Sequence, residues 1–314
     1  MTKVVALAGG VGGAKLAWGL TKVIPQDDLT IIVNTADDFV QYGLKICPDL
    51  DTVMYTLAEL SNKKTGWGRE NETWDCFNEL FRLDPDTWFQ LGDLDLANHM
   101  KRTQLLDSGK SLTEVTEYLC EQNHIRVRLL PMTDDLVSTI ITTDQYGEIS
   151  FQEYFVKFKY QPELRDYHYE GIDKAKLNTE AQQFLEDADI VILCPSNPWL
   201  SILPILSVQN LKLIISKKVC IAVSPIVGSS AVKGPAAKIF IEKGIHPCAV
   251  EVANIYKDFI NGFVLDHKNK HEYEKIKAWG IIPMVTDTIM KDDDSKIRLA
   301  KEVFDFAQQF TKGK

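Results

Sequence analysis

The sequence is short of several things, and each shortage excludes a class of function. Its 314 residues include six cysteines, at positions 47, 76, 120, 194, 220 and 248, and no two form a Cys-x-x-Cys pair. Zinc-ribbon and thioredoxin-type chemistry therefore lack support, and free thiols in a reducing compartment are the expected state. No apolar run reaches the length of a bilayer span, and no charged leader precedes the first apolar stretch. The expectation is a cytoplasmic protein with no membrane partner. Positive charge is also scarce: 35 Lys and Arg against 44 Asp and Glu give a net charge of −9. That balance argues against nucleic acid as a partner and leaves carboxylates free for a divalent cation. The Gly-Lys-Ser/Thr of a P-loop, the Gly-x-Ser-x-Gly of a serine hydrolase and histidines at metal-ligand spacing are all missing. No repeat or low-complexity segment is present.

What is present begins at residue 4. The strand-like run Val4–Ala8 empties directly into Gly9-Gly10-Val11-Gly12-Gly13-Ala14-Lys15. Glycines let the backbone approach an anion, and the following helix aims free N–H groups at it. Lys15 could add a full positive charge. A tight strand-to-helix turn that binds nothing would look the same. Further β-branched apolar runs lie at 29–33, 190–194 and 219–223, with an apolar-periodic helix at 14–23 between Val4–Ala8 and 29–33. Strands alternating with helices predict a doubly wound, mainly parallel α/β sheet, in which ligands bind beyond the carboxyl ends of the strands. Those ends carry Gly9-Gly10, Asn34 to Asp38, Pro195-Ser196-Asn197-Pro198 and Ser224 to Gly228.

The middle of the chain differs. Residues 52–125 are mostly helical in pattern, with helices expected at 52–61, 74–83 and 94–106, and Ser111 to Glu114 opening another as a capping box. Runs at 126–130, 137–142 and 149–156 predict a small subsidiary sheet, with 161–173 as a loop. The expected organisation is a core of 1–51 and 180–314, with 52–179 inserted as a largely helical lobe over the crevice. The core resumes with a helix at 179–186 and closes with one at 295–310.

Three carboxylate pairs are candidates for chemistry: Asp37-Asp38, Asp49-Leu50-Asp51 and Asp93-Leu94-Asp95. Oxygen ligands on loops suit a hard cation such as Mg2+. Helix capping by Asp51 and Asp93 is the competing role. His99 lies one helical turn beyond Asp95 and is a minor candidate. Trp18, Trp67, Trp74, Trp88 and Trp199 could supply a wall for a flat heteroaromatic ligand, or simply fill the core.

The chain resembles the 2-phospho-L-lactate transferase family, CofD, of coenzyme F-420 biosynthesis. The resemblance runs from residue 4 to about residue 308. It is carried by the glycine segment, Val33 to Asp38, Cys47 to Thr56, Leu91 to Asp95, Pro131 to Asp135 and Phe151 to Tyr154. It continues through Pro195 to Pro198, Ser224 to Gly228, Lys233 to Ala236 and Thr286 to Met290.

The resemblance implies a Rossmann-like core and a Mg-dependent enzyme. Such an enzyme moves a phosphorylated three-carbon acid, of the 2-phospholactate or phosphoenolpyruvate type, from a guanosine diphosphate-linked donor to the deazaflavin Fo, releasing GMP. It further implies a donor site at Gly9, Gly10, Gly12, Gly13, Lys15, Ser196, Asn197, Ser224 and Gly228. Fo contacts fall at Asp51 and Gln90, the latter commonly basic in the family. Leu94 also stands where a charged residue is frequent. Metal ligands are expected among Asp37, Asp38, Asp49 and Asp51, catalytic roles at Asp51 and Asp49, and a homodimer by family habit. Two other functions share the glycine segment: a non-enzymatic regulator that binds nucleotide sugars or dinucleotides, and a nicotinamide-dependent oxidoreductase.

Overall fold

The computed structural model describes residues 1–64, 66–231 and 236–311. The chain runs β1 (Val4–Ala8), α1 (Gly10–Thr21), β2 (Leu29–Val33), the hairpin β3 (Phe39–Gln41) and β4 (Leu44–Ile46), and α2 (Pro48–Leu57). Next come α3 (Asp75–Leu83), α4 (Asp93–Asp107), α5 (Leu112–Gln122), β5 (Arg128–Pro131), β6 (Ser138–Thr143), β7 (Gly147–Ser150), β8 (Leu164–Glu170) and α6 (Thr179–Asp187). The remainder is β9 (Ile190–Leu193), α7 (Leu203–Ser207), α8 (Leu211–Ile215), β10 (Val219–Val223), β11 (Ile226–Val227) and β12 (Ser230–Ala231). It continues with α9 (Ala236–Glu242), α10 (Ala249–Tyr256), β13 (Gly262–Asp266), α11 (Tyr273–Lys277), β14 (Ile282–Thr286) and α12 (Asp293–Gln309).

Seven strands form one sheet in the order β14-β13-β10-β9-β1-β2-β5, and every neighbouring pair is parallel. The apolar strands are buried on both faces, so alternate residues enter opposite cores. Val4, Ala6 and Ala8 pack with α1, α2, α5 and α12. Val5 and Leu7 pack with α6, α8 and α10. This is the doubly wound, Rossmann-like sheet the sequence predicts. The order reverses between β1 and β9. From β1 the chain moves outward to β2 and β5, and from β9 it moves the other way to β10, β13 and β14. The carboxyl ends of β1 and β9 therefore flank the switch-point crevice.

Several local expectations change. Residues 126–130 do not join the subsidiary sheet; Arg128–Pro131 pairs with β2 as the edge of the main sheet. The segment 52–179 thus feeds the main sheet and, through α5, its covering layer. The subsidiary sheet has the order β7-β6-β8. Its third strand lies where a loop is expected, because half-buried Tyr167 and Tyr169 alternate with exposed charged residues. The run 149–156 is strand only to Ser150. There the Ser150 and Glu153 side chains accept each other's backbone N–H and start a π-helical turn, Glu153–Lys157. Lys233 to Pro235 lie outside the described residues. Among the described residues no helix is long and apolar enough to cross a membrane.

Helix α1 packs against both α2 and α12. A Cβ on Gly19 would sit 2.5 Å from the Lys296 carbonyl oxygen of α12. Gly19→Ala gains about 1 kcal/mol of helix propensity but costs about 1–3 kcal/mol of overpacking. Thermal melts are expected to show a Tm lowered by a few degrees; an unchanged or raised Tm would contradict this packing.

Candidate active site

The site is built from the crevice outward. Gly9 is the N-cap of α1, and Gly10 has φ +58, a left-handed conformation suited to glycine. The turn is also glycine-rich because three segments press on it. A Cβ on Gly9 would overlap Asp49 Oδ2 and Ser201, and one on Gly12 would overlap the Pro195 carbonyl oxygen. The Gly9 amide donates to Ser196 Oγ at 3.0 Å, and that hydroxyl donates back to the Gly9 carbonyl at 2.7 Å. Ser196 thereby ties the ends of β1 and β9 together. The Gly10 amide donates to Asp49 Oδ1 at 2.8 Å.

Asp49 reaches the turn because α2 starts earlier than its pattern suggests. Pro48 is its first residue, which places Asp49 and Asp51 inside the first turn rather than at a cap. Opposite, Asn34 follows the last residue of β2 and is fully buried. Its side-chain oxygen accepts the Ala36 amide, and its Nδ2 reaches Asp49 Oδ2 at 3.0 Å, Asp37 Oδ2 at 3.3 Å and the Leu200 carbonyl at 3.1 Å. One amide thus gathers two buried carboxylates. Burial pushes Asp49 up to about 6 against the hydrogen bonds from Asn34 and Gly10. Burial first, and the Asp49 carboxylate second, hold Asp37 well above the usual carboxylate range. Asp37 Oδ1 is buried without a hydrogen-bond partner among the described residues.

A second polar group lies between α2 and α4. Arg102, 2% exposed, donates through Nη1 to Asp51 Oδ2 at 3.0 Å and through Nη2 to Asp51 Oδ1. Asn98 adds a bond to Asp51 Oδ1 at 3.2 Å. Arg102 Nη1 also lies 2.9 Å from His99 Nδ1. His99 Nε2 faces Asp95 Oδ1 at 3.2 Å, poorly aligned, and Tyr55 donates to that same oxygen at 2.6 Å. Burial raises Asp95, but His99, Tyr55 and Arg102 outweigh it and hold the carboxyl below its usual range. Asp51, Asp95 and His99 cluster as metal ligands can. The Arg102 guanidinium already takes the cation's place there.

Both groups open on one cavity of about 940 Å³. Gly9, Gly10, Gly12, Lys15, Asp37, Asp49, Asp51, Gln90, Ser196, Asn197 and Ser224 all line it. Asn197 caps the turn after β9 through Oδ1, while its buried Nδ2 has no partner among the described residues. Lys15 donates to the Met290 carbonyl at 2.8 Å and so holds the cavity-lining segment Thr288 to Met290. Aromatic side chains form another part of the lining: Trp67, Trp88, Phe89, Phe151 and Phe155. Trp88 stacks on Phe39 at 6.3 Å and Phe151 on Phe155 at 5.4 Å. Two π-helical turns line the cavity, Glu153–Lys157 through Phe155 and Val156, and Pro198–Ile202 through Leu200 and Ser201 beside Gly9, a conformation common at functional sites.

Other candidates lie elsewhere. Gly13 packs against Ala8 beneath the turn, and Gly228 bonds Asn269 at 2.7 Å. Asp38 faces a separate cavity of about 260 Å³ beside Lys45, 3.4 Å away. Trp18, Trp74 and Trp199 do not line the large cavity. Asp93 caps α3 across space, accepting the amides of Asp75 and Cys76. Arg102, Tyr55 and Asn34 escaped sequence reasoning. A signal was there: Asp95, His99 and Arg102 are spaced by four and three residues, one face of a helix, and Asp51 and Tyr55 by four.

Comparison with known proteins shows the family of the chain and the likeness of its fold. A phosphoenolpyruvate transferase of Kitasatospora aureofaciens is 38% identical over 320 residues, covering 99% of each chain. A 2-phospho-L-lactate transferase of Methanocaldococcus jannaschii is 38% identical over 306 residues, covering 96% of this chain and 97% of the other. One from Methanococcoides burtonii is 36% identical over 299 residues, covering 95% and 97%. The solved structure of a UPF0052-family protein from Bacillus halodurans shares the fold, with a TM-score of 0.62, 14% identity, and coverage of 96% of this chain and 98% of that one. A family model described as 2-phospho-L-lactate transferase CofD matches residues 4–303, and this chain belongs to that family.

Proposed function

We propose that this protein transfers a phosphorylated three-carbon acid from a guanosine diphosphate-linked donor to the deazaflavin Fo and releases GMP. One observation carries the proposal: a single cavity joins a glycine and acidic rim to an aromatic wall. The rim suits a diphosphate with a divalent cation, and the wall suits a flat heteroaromatic ring. The names of the relatives, phosphoenolpyruvate transferase and 2-phospho-L-lactate transferase, support the same reaction class.

The amides of Val11 and Gly12, in the first turn of α1, and the Asn197 amide would hold phosphate oxygens. The Fo side-chain hydroxyl attacks the phosphorus bearing the three-carbon acid, a new P–O bond forms, the P–O bond to GMP breaks, and the hydroxyl proton passes to the departing GMP phosphate. Holding the two reactants in line carries most of such a reaction. Asp37 and Asp49 fit magnesium, since Asp37 Oδ1 is buried without a partner and both carboxylates are charged only at a cost. When bound there, the ion would neutralise diphosphate oxygens and the charge left on GMP. Asp51 would bind Fo rather than metal, because its two oxygens are already held by Arg102.

Three measurements check this. Mass spectrometry of reactions with Fo, magnesium and each guanosine diphosphate-linked acid is expected to show GMP and Fo enlarged by one phosphorylated three-carbon acid. No product from any donor would overturn the function.

Gly12→Ala pushes the cradle away from Pro195 and is expected to raise KM for the donor about tenfold, leaving KM for Fo within about twofold. Equal effects on both substrates would contradict the assignment of the rim to the donor.

The third test is a pH dependence. Folded Asp49 keeps its proton up to about pH 6, whereas the unfolded residue loses it near its ordinary value of about 3.9. Between those values the folded state binds more protons, so this group's stabilisation is lost as pH rises. In metal-free protein, Asp49→Asn is therefore expected to raise Tm relative to wild type at pH 8 but not at pH 4. Added magnesium is expected to stabilise only wild type. A Tm gap independent of pH would contradict the buried-acid account.

A further inference from the structure

The Arg102 cluster has a geometry that stability alone does not explain. A buried ion pair adds little over well-packed apolar residues of the same volume. What a guanidinium supplies is direction: a planar fork, permanently charged, that meets a carboxylate along two parallel bonds. Arg102 meets Asp51 in that way, and Asn98 takes a third of the roughly four lone-pair positions on the carboxylate. One position is left over on Oδ2, which has His99 Nδ1 3.7 Å away, and Asp51 itself lines the cavity.

The fork is itself held. Arg102 has no acceptor, so His99 Nδ1 must accept from it and the ring hydrogen sits on Nε2. That nitrogen faces Asp95, which Tyr55 fixes from α2. Two helices thus lock one carboxylate through five side chains. A carboxylate so held is a directional hydrogen-bond acceptor, suited to an N–H or O–H of a neutral ring ligand.

We propose that Arg102 is a positioning residue for the acceptor substrate: its fork fixes Asp51 as a hydrogen-bond acceptor on the cavity wall, and His99, Asp95 and Tyr55 fix the fork. The proposal rests on Fo being the acceptor. Its chemistry is recognition, so it acts on binding of the ring and leaves the donor rim untouched.

The test is a double-mutant cycle read by steady-state kinetics and by titration of Fo followed in its visible absorption. Arg102→Lys keeps the charge and loses the fork. It is expected to raise KM and Kd for Fo about tenfold or more, with kcat and donor KM within about twofold. Asp51→Asn is expected to weaken Fo binding as well. Adding Arg102→Lys to it should bring no further loss, because Arg102 acts only through Asp51. Multiplying effects in the double variant, or unchanged Fo affinity in Arg102→Lys beside a wild type that binds Fo, overturns the proposal. Should Arg102→Lys fail to fold by circular dichroism, Tyr55→Phe carries the test, because it releases Asp95 behind His99 and so loosens the fork. It is expected to raise KM for Fo about threefold, again with no further loss when added to Asp51→Asn; an unchanged KM overturns the proposal. A wild type that binds no Fo overturns the function proposed above, and this role with it.

Discussion

Two carboxylates are buried side by side at the end of β2, and one asparagine amide holds them there. Asn34 bonds both Asp37 and Asp49 while its own oxygen shapes the turn that follows. Charge that close, in so little water, costs free energy unless a cation or proton answers it. The rest of the site is arranged around that cost. The glycines exist where Asp49 and Pro195 press on the backbone. Ser196 bridges β1 and β9 beside them. Lys15 secures the returning segment through the Met290 carbonyl. A helix N-terminus completes one end of the cavity.

The two sets of lining residues come from different parts of the chain. The rim is made by segments that follow β1, β2, β9 and β10, which the sheet brings together. The aromatic wall is made by segments between β2 and β9, including the stretch around Trp88 and the π-helical turn after β7. Asp51 belongs to both halves. It sits on α2, two residues beyond a rim carboxylate, and is tied to α4 by Arg102. The two acidic residues of one short motif therefore have opposite electrostatic settings. Among the described residues no cationic side chain bonds Asp49, whereas Asp51 is paired with Arg102.

Much of the fold was legible in the pattern of the chain. Strands such as Val4–Ala8 and Ile190–Leu193 are continuous apolar runs, as two-sided burial demands, and their polar ends mark the crevice. The edge strand Arg128–Pro131 was misassigned because its charged first residue and short length hide its place in the sheet. β8 was missed because edge strands tolerate charge, and its tyrosines give the only apolar alternation. At the site, glycines and carboxylates stood out by type. Arg102 did not, since nothing in its neighbourhood distinguishes a buried arginine from one on a solvated helix face; only the helical spacing from Asp95 links it to the cavity. Asp38 shows the converse. It neighbours Asp37 in sequence but lines a different cavity, beside Lys45.

The central claim is that the glycine and acidic rim and the aromatic wall serve two substrates in one cavity. A crystal structure of the protein with guanosine diphosphate, magnesium and Fo tests it most directly. The account predicts both ligands in the one cavity, the diphosphate against Gly9 to Gly12 and Asn197, and the deazaflavin ring between Asp51 and the Trp67 and Trp88 side. Nucleotide density away from the glycine turn, or Fo bound outside this cavity, would contradict it.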